Sequence, residues 1–193
     1  MKTVIYGDSL AGPFGLINHK AWSKQLMEQK DSIIERVVYK NGYTTSDLIE
    51  CLNREVLNFN PEQVVLICGT NDALQGRRAK EILDSVQFLG NEIKKAQAKP
   101  VWLIPPQLDG ELAAKSFGDP IGVFDRANEE LLKLRKMASV LKDFFLIIDL
   151  EDFRKTYEQD SNGKVYVDGI HFHRNFQDAL TIYIFSVLDN RKA

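Results

Sequence analysis

The chain has 193 residues, of which 44% are hydrophobic and 27% charged, with a formal net charge of −2. That composition suits one globular domain over residues 1–193 with a sizeable core, and the near-neutral balance excludes the basic footprint of a nucleic-acid or polybasic-membrane partner. No apolar stretch is long enough to span a bilayer, and the first strand follows Met1-Lys2 so directly that no signal peptide fits before it; the expected location is cytoplasmic.

In chain order, short apolar runs alternate with segments of helical period. The runs are Thr3–Tyr6, Ile33–Tyr39, Gln63–Cys68, Val101–Ile104 and Phe144–Asp149. They are near-continuous rather than alternating, as strands buried on both faces should be. A weak helical pattern surrounds Trp22 and Leu26, and a clearer one joins Leu48, Leu52 and Val56. Ile82, Val86, Leu89 and Ile93 form one stripe. Phe124, Ala127, Leu131, Leu134, Ala138 and Leu141 form a longer one, which Asp119-Pro120 is placed to open as an acidic N-cap and first-turn proline. Phe176, Leu180, Ile184 and Val187 mark the last helix. Repeated strand–helix alternation predicts an α/β fold with a parallel sheet. Two segments interrupt it and read as long loops: Pro105–Gly118, whose Pro106, Leu108, Leu112 and Phe117 suggest a pocket wall, and Glu151–His173. Cys51 and Cys68 lie in apolar patterns and read as buried free thiols.

Ligands of an open parallel sheet bind beyond the carboxyl ends of its strands. The residues there are Gly7-Asp8-Ser9 after the first strand, Asn41-Gly42-Tyr43-Thr44 after the second, Gly69-Thr70-Asn71-Asp72 after the third and Asp168-Gly169-Ile170-His171 on the loop after the fifth. Together they supply the parts of nucleophilic catalysis. The Ser9 hydroxyl needs a base, and the His171 imidazole can take and return a proton near pH 7. The Asp168 carboxylate, three residues earlier, can orient that imidazole. The Ser9 and Gly42 N–H groups and the Asn71 amide can hold an oxyanion. Asp8 and Asp72 read as structural carboxylates bracing the turns. Taken singly, several of these are ordinary turn residues. Asp168, His171 and His173 are also metal-ligand types, but no further group with matching spacing accompanies them, so neither metal nor cofactor is expected. His173 reads as a rim residue, and His19 as lying near a helix start.

The blocks "GDSL" at Gly7–Leu10, Gly42 in "GYTTSDL", "GTND" at Gly69–Asp72 and "DGIH" at Asp168–His171 resemble, in order, the four blocks of the SGNH family of GDSL-type esterases and lipases. The resemblance implies Ser9 as nucleophile, His171 as base and Asp168 as its partner, with an oxyanion hole of Ser9, Gly42 and Asn71. It implies a three-layer, flavodoxin-like α/β/α fold with strand order 2-1-3-4-5. It also implies a small-molecule ester as substrate: a short acyl or aryl ester, a thioester or lysophospholipid, or an O-acetylated carbohydrate. A binding module that kept the fold without catalysis is the competing class.

Overall fold

The computed structural model describes residues 1–16, 19–119, 121–161 and 163–189. Five strands, β1 (Thr3–Gly7), β2 (Ile34–Tyr39), β3 (Gln63–Ile67), β4 (Lys99–Ile104) and β5 (Leu146–Asp149), form one sheet. Its order is β2-β1-β3-β4-β5, with every neighbouring pair parallel. The helices are α1 (Trp22–Met27), α2 (Thr45–Glu55), α3 (Thr70–Leu74), α4 (Ala79–Lys95), α5 (Gly110–Phe117), α6 (Val123–Met137), α7 (Leu150–Ser161) and α8 (Arg174–Asp189).

The alternation of side chains along each strand explains the three layers. Val4, Tyr6, Val64, Leu66 and Trp102 point to one face, where they meet Leu48 and Leu52 of α2, Ile82, Val86 and Leu89 of α4, and Leu131 and Leu134 of α6. Ile5, Val65, Ile67, Val101 and Leu103 point to the other, against Trp22 and Leu26 of α1 and Phe176, Leu180 and Ile184 of α8. Both faces of β1 and β3 are covered, and all of their residues are buried. This is the physical source of the unbroken apolar runs.

Local chemistry sets the boundaries. α2 begins with a capping box: the Thr44 N–H donates to Asp47 Oδ2 at 2.8 Å, and the Asp47 N–H donates back to Thr44 Oγ1 at 3.4 Å. The last predicted strand is shorter than its apolar run, because Phe145 turns into the core against Trp102, with ring centroids 6.3 Å apart, before β5 begins. Val187 is half-buried, and Leu188 takes the core position beside it.

Three expectations need correction. Pro105–Gly118 is not all loop, since α5 occupies Gly110–Phe117, with the Asp109 carboxylate accepting from the Leu112 N–H at 2.9 Å as its N-cap. The segment after β5 is not all loop either. α7 starts directly at Leu150, and its Phe153 and Tyr157, four apart, pack their rings on Phe176 at centroid distances of 5.3 and 5.1 Å. α6 starts at Val123 with Gly122 at its N-cap, later than Asp119-Pro120 suggests. Asp119 still caps it from outside by accepting from the Val123 N–H at 2.6 Å, while Pro120 lies outside the described residues. Among the described residues, no helix is long and apolar enough to cross a membrane.

Candidate active site

β1 sits between β2 and β3, so its carboxyl end opens between two other strand tips, where the strand order reverses. Gly7 fits there because of crowding: a Cβ on it would come within 2.3 Å of the Ile67 carbonyl oxygen on β3. Immediately afterwards the chain makes one 3-10 turn, Ser9–Ala11, which Asp8 caps by accepting from the Leu10 N–H at 2.9 Å. That turn presents Ser9, 6% exposed, at the sheet rim.

Asp8 is fully buried, and its second oxygen, Oδ2, has no hydrogen-bond partner. Burial pushes its carboxyl up to about 7; the Leu10 N–H works against this, and the Asp72 carboxylate adds to it. Cys68 lies fully buried near both carboxylates, and burial first and those charges second raise its thiol well above the ordinary range. Such a thiol is an inert core residue.

His171 comes from a segment far from Ser9 in sequence. Tyr166 and Phe172 form an antiparallel bridge, and the Val167 N–H donates to the His171 carbonyl at 2.9 Å, which closes Asp168–Ile170 into a tight loop. Within it, Asp168 Oδ1 accepts from the N–H groups of His171 at 2.8 Å and Ile170 at 3.0 Å. Its Oδ2 lies 2.7 Å from His171 Nδ1, and His171 Nε2 lies 3.0 Å from Ser9 Oγ. Partial burial raises the Asp168 pKa, but the hydrogen bonds from the His171 N–H, its ring and the Ile170 N–H outweigh it and hold the carboxyl below its usual value. A carboxylate accepting from Nδ1–H leaves Nε2 free to accept from a hydroxyl.

α5 clasps this loop. The Asp109 N–H donates to the Gly169 carbonyl at 2.9 Å. Gly169 has φ +93°, and a Cβ on it would meet Ala113 N at 2.3 Å and Asp109 O at 2.5 Å. The α5 segment packs against the Asp168–His171 loop; Pro106 and Leu108 are buried, and Phe117 turns outward against Phe124. Leu112 and His173 line a surface cavity of about 450 Å³ with Asp109, Tyr166 and Val167.

The Gly69–Asp72 block is stitched to the turn after β2. Asn71 Nδ2 donates to the Tyr43 carbonyl at 2.9 Å. A carbonyl can only accept, so the NH2 end of the amide faces the β2–α2 turn. The next residue, Asp72, reaches the same turn by accepting from Thr45 N at 2.9 Å and Thr45 Oγ1 at 2.6 Å. Arg77 Nη1 completes the buried carboxylate at 2.5 Å. Gly42, exposed and at φ +80°, turns the chain one residue before Tyr43.

Thus Ser9, His171 and Asp168 form one hydrogen-bonded series, Asn71 is tied to the turn that carries Gly42, and Asp8 and Asp72 lie buried behind them. His19 lies apart, 2.8 Å from Asp178 Oδ1. Sequence reading missed Phe14, whose ring stacks on His171 with centroids 3.7 Å apart and planes at 24°. It also missed Arg77 as the partner of Asp72. No periodicity marks either contact. Among the described residues, no group of three or more His, Cys, Asp or Glu is placed to hold a metal ion.

No protein-family model and no curated protein sequence matches the chain. Its structure is similar to that of an acetyl xylan esterase, AlAXEase, with a TM-score of 0.75 and 21% identity over 97% of this chain and 99% of the other. It is equally similar to a lipase/acylhydrolase from Enterococcus faecalis, with a TM-score of 0.75 and 21% identity over 99% and 97% of the two chains. A lipolytic protein of the G-D-S-L family from Veillonella parvula follows at TM-score 0.70 and 16% identity, covering 97% of each chain. The three-layer fold and strand order implied by the four sequence blocks are the ones observed.

Proposed function

We propose that the protein is a serine ester hydrolase of the GDSL type that works through an acyl-enzyme on small carboxylic esters. The observation that carries this reading is the series Ser9 Oγ–His171 Nε2 at 3.0 Å and His171 Nδ1–Asp168 Oδ2 at 2.7 Å, at the rim where the strand order reverses. Ser9 Oγ attacks the ester carbonyl as its proton passes to His171 Nε2. The oxyanion rests on the N–H groups of Ser9 and Gly42 and the second N–H of Asn71. His171 then protonates the departing alkoxide, leaving Ser9 acylated. Water repeats the sequence, giving up its proton to His171 and releasing the acid. Asp168 keeps the imidazole in the accepting tautomer and stabilises it while it carries the proton.

A second reading within this chemistry is removal of O-acetyl groups from a carbohydrate. It is favoured by the likeness to an acetyl xylan esterase over nearly the full length of both chains. Turnover of p-nitrophenyl acetate against longer esters and acetylated oligosaccharides separates the two. Labelling by a fluorophosphonate probe tests the nucleophile. Wild type is expected to label and to hydrolyse ester, and Ser9→Ala to do neither. A wild type that does neither is the catalytically silent binding module; an active Ser9→Ala assigns the nucleophile elsewhere.

A further inference from the structure

The segment Gly12–Leu16 leaves the turn that carries Ser9 and crosses to the loop that carries His171. Gln177 of α8 holds its start, donating from Nε2 to the Gly12 carbonyl at 3.3 Å, and the Leu16 N–H closes a turn on the Pro13 carbonyl at 3.0 Å. A Cβ on Gly15 would lie 3.1 Å from Val167 Cγ2, so the crossing segment touches the arm that leads into the base loop. At its crest, Phe14 lays one ring face on the His171 imidazole, at 3.7 Å between centroids, while remaining 37% exposed.

Both nitrogens of His171 are already engaged, by Ser9 and by Asp168. Those two contacts lie at the ring edge, and both are lost if the ring turns about its Cβ–Cγ bond. A flat surface against one face opposes that turn. When the proton of Ser9 reaches Nε2, the ring becomes a cation lying on an aromatic π-face, which is an attractive arrangement.

From this stack we infer that Phe14 is a positioning residue for His171. It fixes the plane of the imidazole and favours the protonated ring that exists only during the reaction. The inference rests on the serine-hydrolase reading and specifies how the base is held. Its effect falls on kcat, because the benefit is realised in the transition state and not in substrate binding.

The test compares Phe14→Leu, which keeps apolar bulk without a π-face, with Phe14→Tyr, which keeps the ring. For p-nitrophenyl acetate, Phe14→Leu is expected to lower kcat about tenfold with KM changed less than about twofold, and Phe14→Tyr to stay within about twofold of wild type. An independent readout is the proton resonances of the His171 ring, identified among the three histidines by substituting each. They are expected to be shifted upfield in wild type and Phe14→Tyr, and to move downfield in Phe14→Leu. A Phe14→Leu enzyme with wild-type kcat, a loss seen only in KM, or unmoved His171 resonances overturns the role of Phe14 while the hydrolase reading stands. A wild type that neither labels with fluorophosphonate nor turns over any ester overturns both.

Discussion

Asp8→Asn is expected to change how stability depends on pH. In the native protein the Asp8 carboxyl titrates at about 7 instead of 3.8, because it is fully buried and faces the Asp72 carboxylate. Between those two values the folded state holds a proton that the unfolded chain has released. The unfolded state then binds fewer protons, and stability falls as pH rises. Below 3.8 both states hold the proton and the effect vanishes; above about 7 the ionised carboxylate weighs fully on the fold. A rise from 3.8 to about 7 corresponds to about 4 kcal/mol at 1.36 kcal/mol per pH unit. Asn keeps an oxygen for the Leu10 N–H but puts an NH2 where Oδ2 has no partner, at a cost of about 1–3 kcal/mol at every pH. The variant is therefore expected to be less stable than wild type by about 1–3 kcal/mol near pH 4, and more stable by a similar margin near pH 8. Urea unfolding of both proteins across that range, analysed by linear extrapolation, measures the difference. Carboxylates held below their usual values, such as Asp168 and Glu151, give the opposite slope but act equally on both proteins and cancel. Two curves that run parallel would refute the reasoning.

Asn71→Ala is expected to lower kcat by about 10²–10³ with a much smaller change in KM, as measured by steady-state ester hydrolysis, because the oxyanion exists only in the transition state. A loss confined to KM would assign Asn71 to substrate binding. Gly169→Ala places a Cβ against backbone atoms of α5 at a φ of +93°; a destabilisation of about 2–4 kcal/mol, read by thermal melting, should follow. The α5 clasp should loosen with it, slowing fluorophosphonate labelling of Ser9. Unchanged melting and labelling would mean that the loop yields more easily than its packing implies.

The sheet was legible in the sequence because burial on two faces leaves the strand interiors almost wholly apolar, as in Val64–Ile67, bounded by turn residues. The rim followed from the alternation, and the pairing of Ser9 with His171 from the chemistry that each needs. Helix α7 was hidden because its apolar face is carried by two aromatics, Phe153 and Tyr157, among nine polar or charged neighbours and Leu150. α5 was masked by the prolines and glycines around it, although Asp109 ahead of Leu112-Ala113 was a readable cap. The Arg77–Asp72 pair and the Phe14 stack arise from approach in space, and neither leaves a spacing to find. The resemblance supplied the order of the strands, which no period encodes.

Ser9 and His171 are 162 positions apart. The His171 loop follows all five strands in the chain, so the turn that carries Ser9 is made well before its proposed partner. A contact that spans so much of the sequence is costly to close in chain entropy, since closure cost grows with the length spanned. Hydrolysis would thus report on the docking of two segments far apart in sequence as well as on the chemistry. Local opening of the layer containing α8 would silence the chemistry while the sheet stood intact.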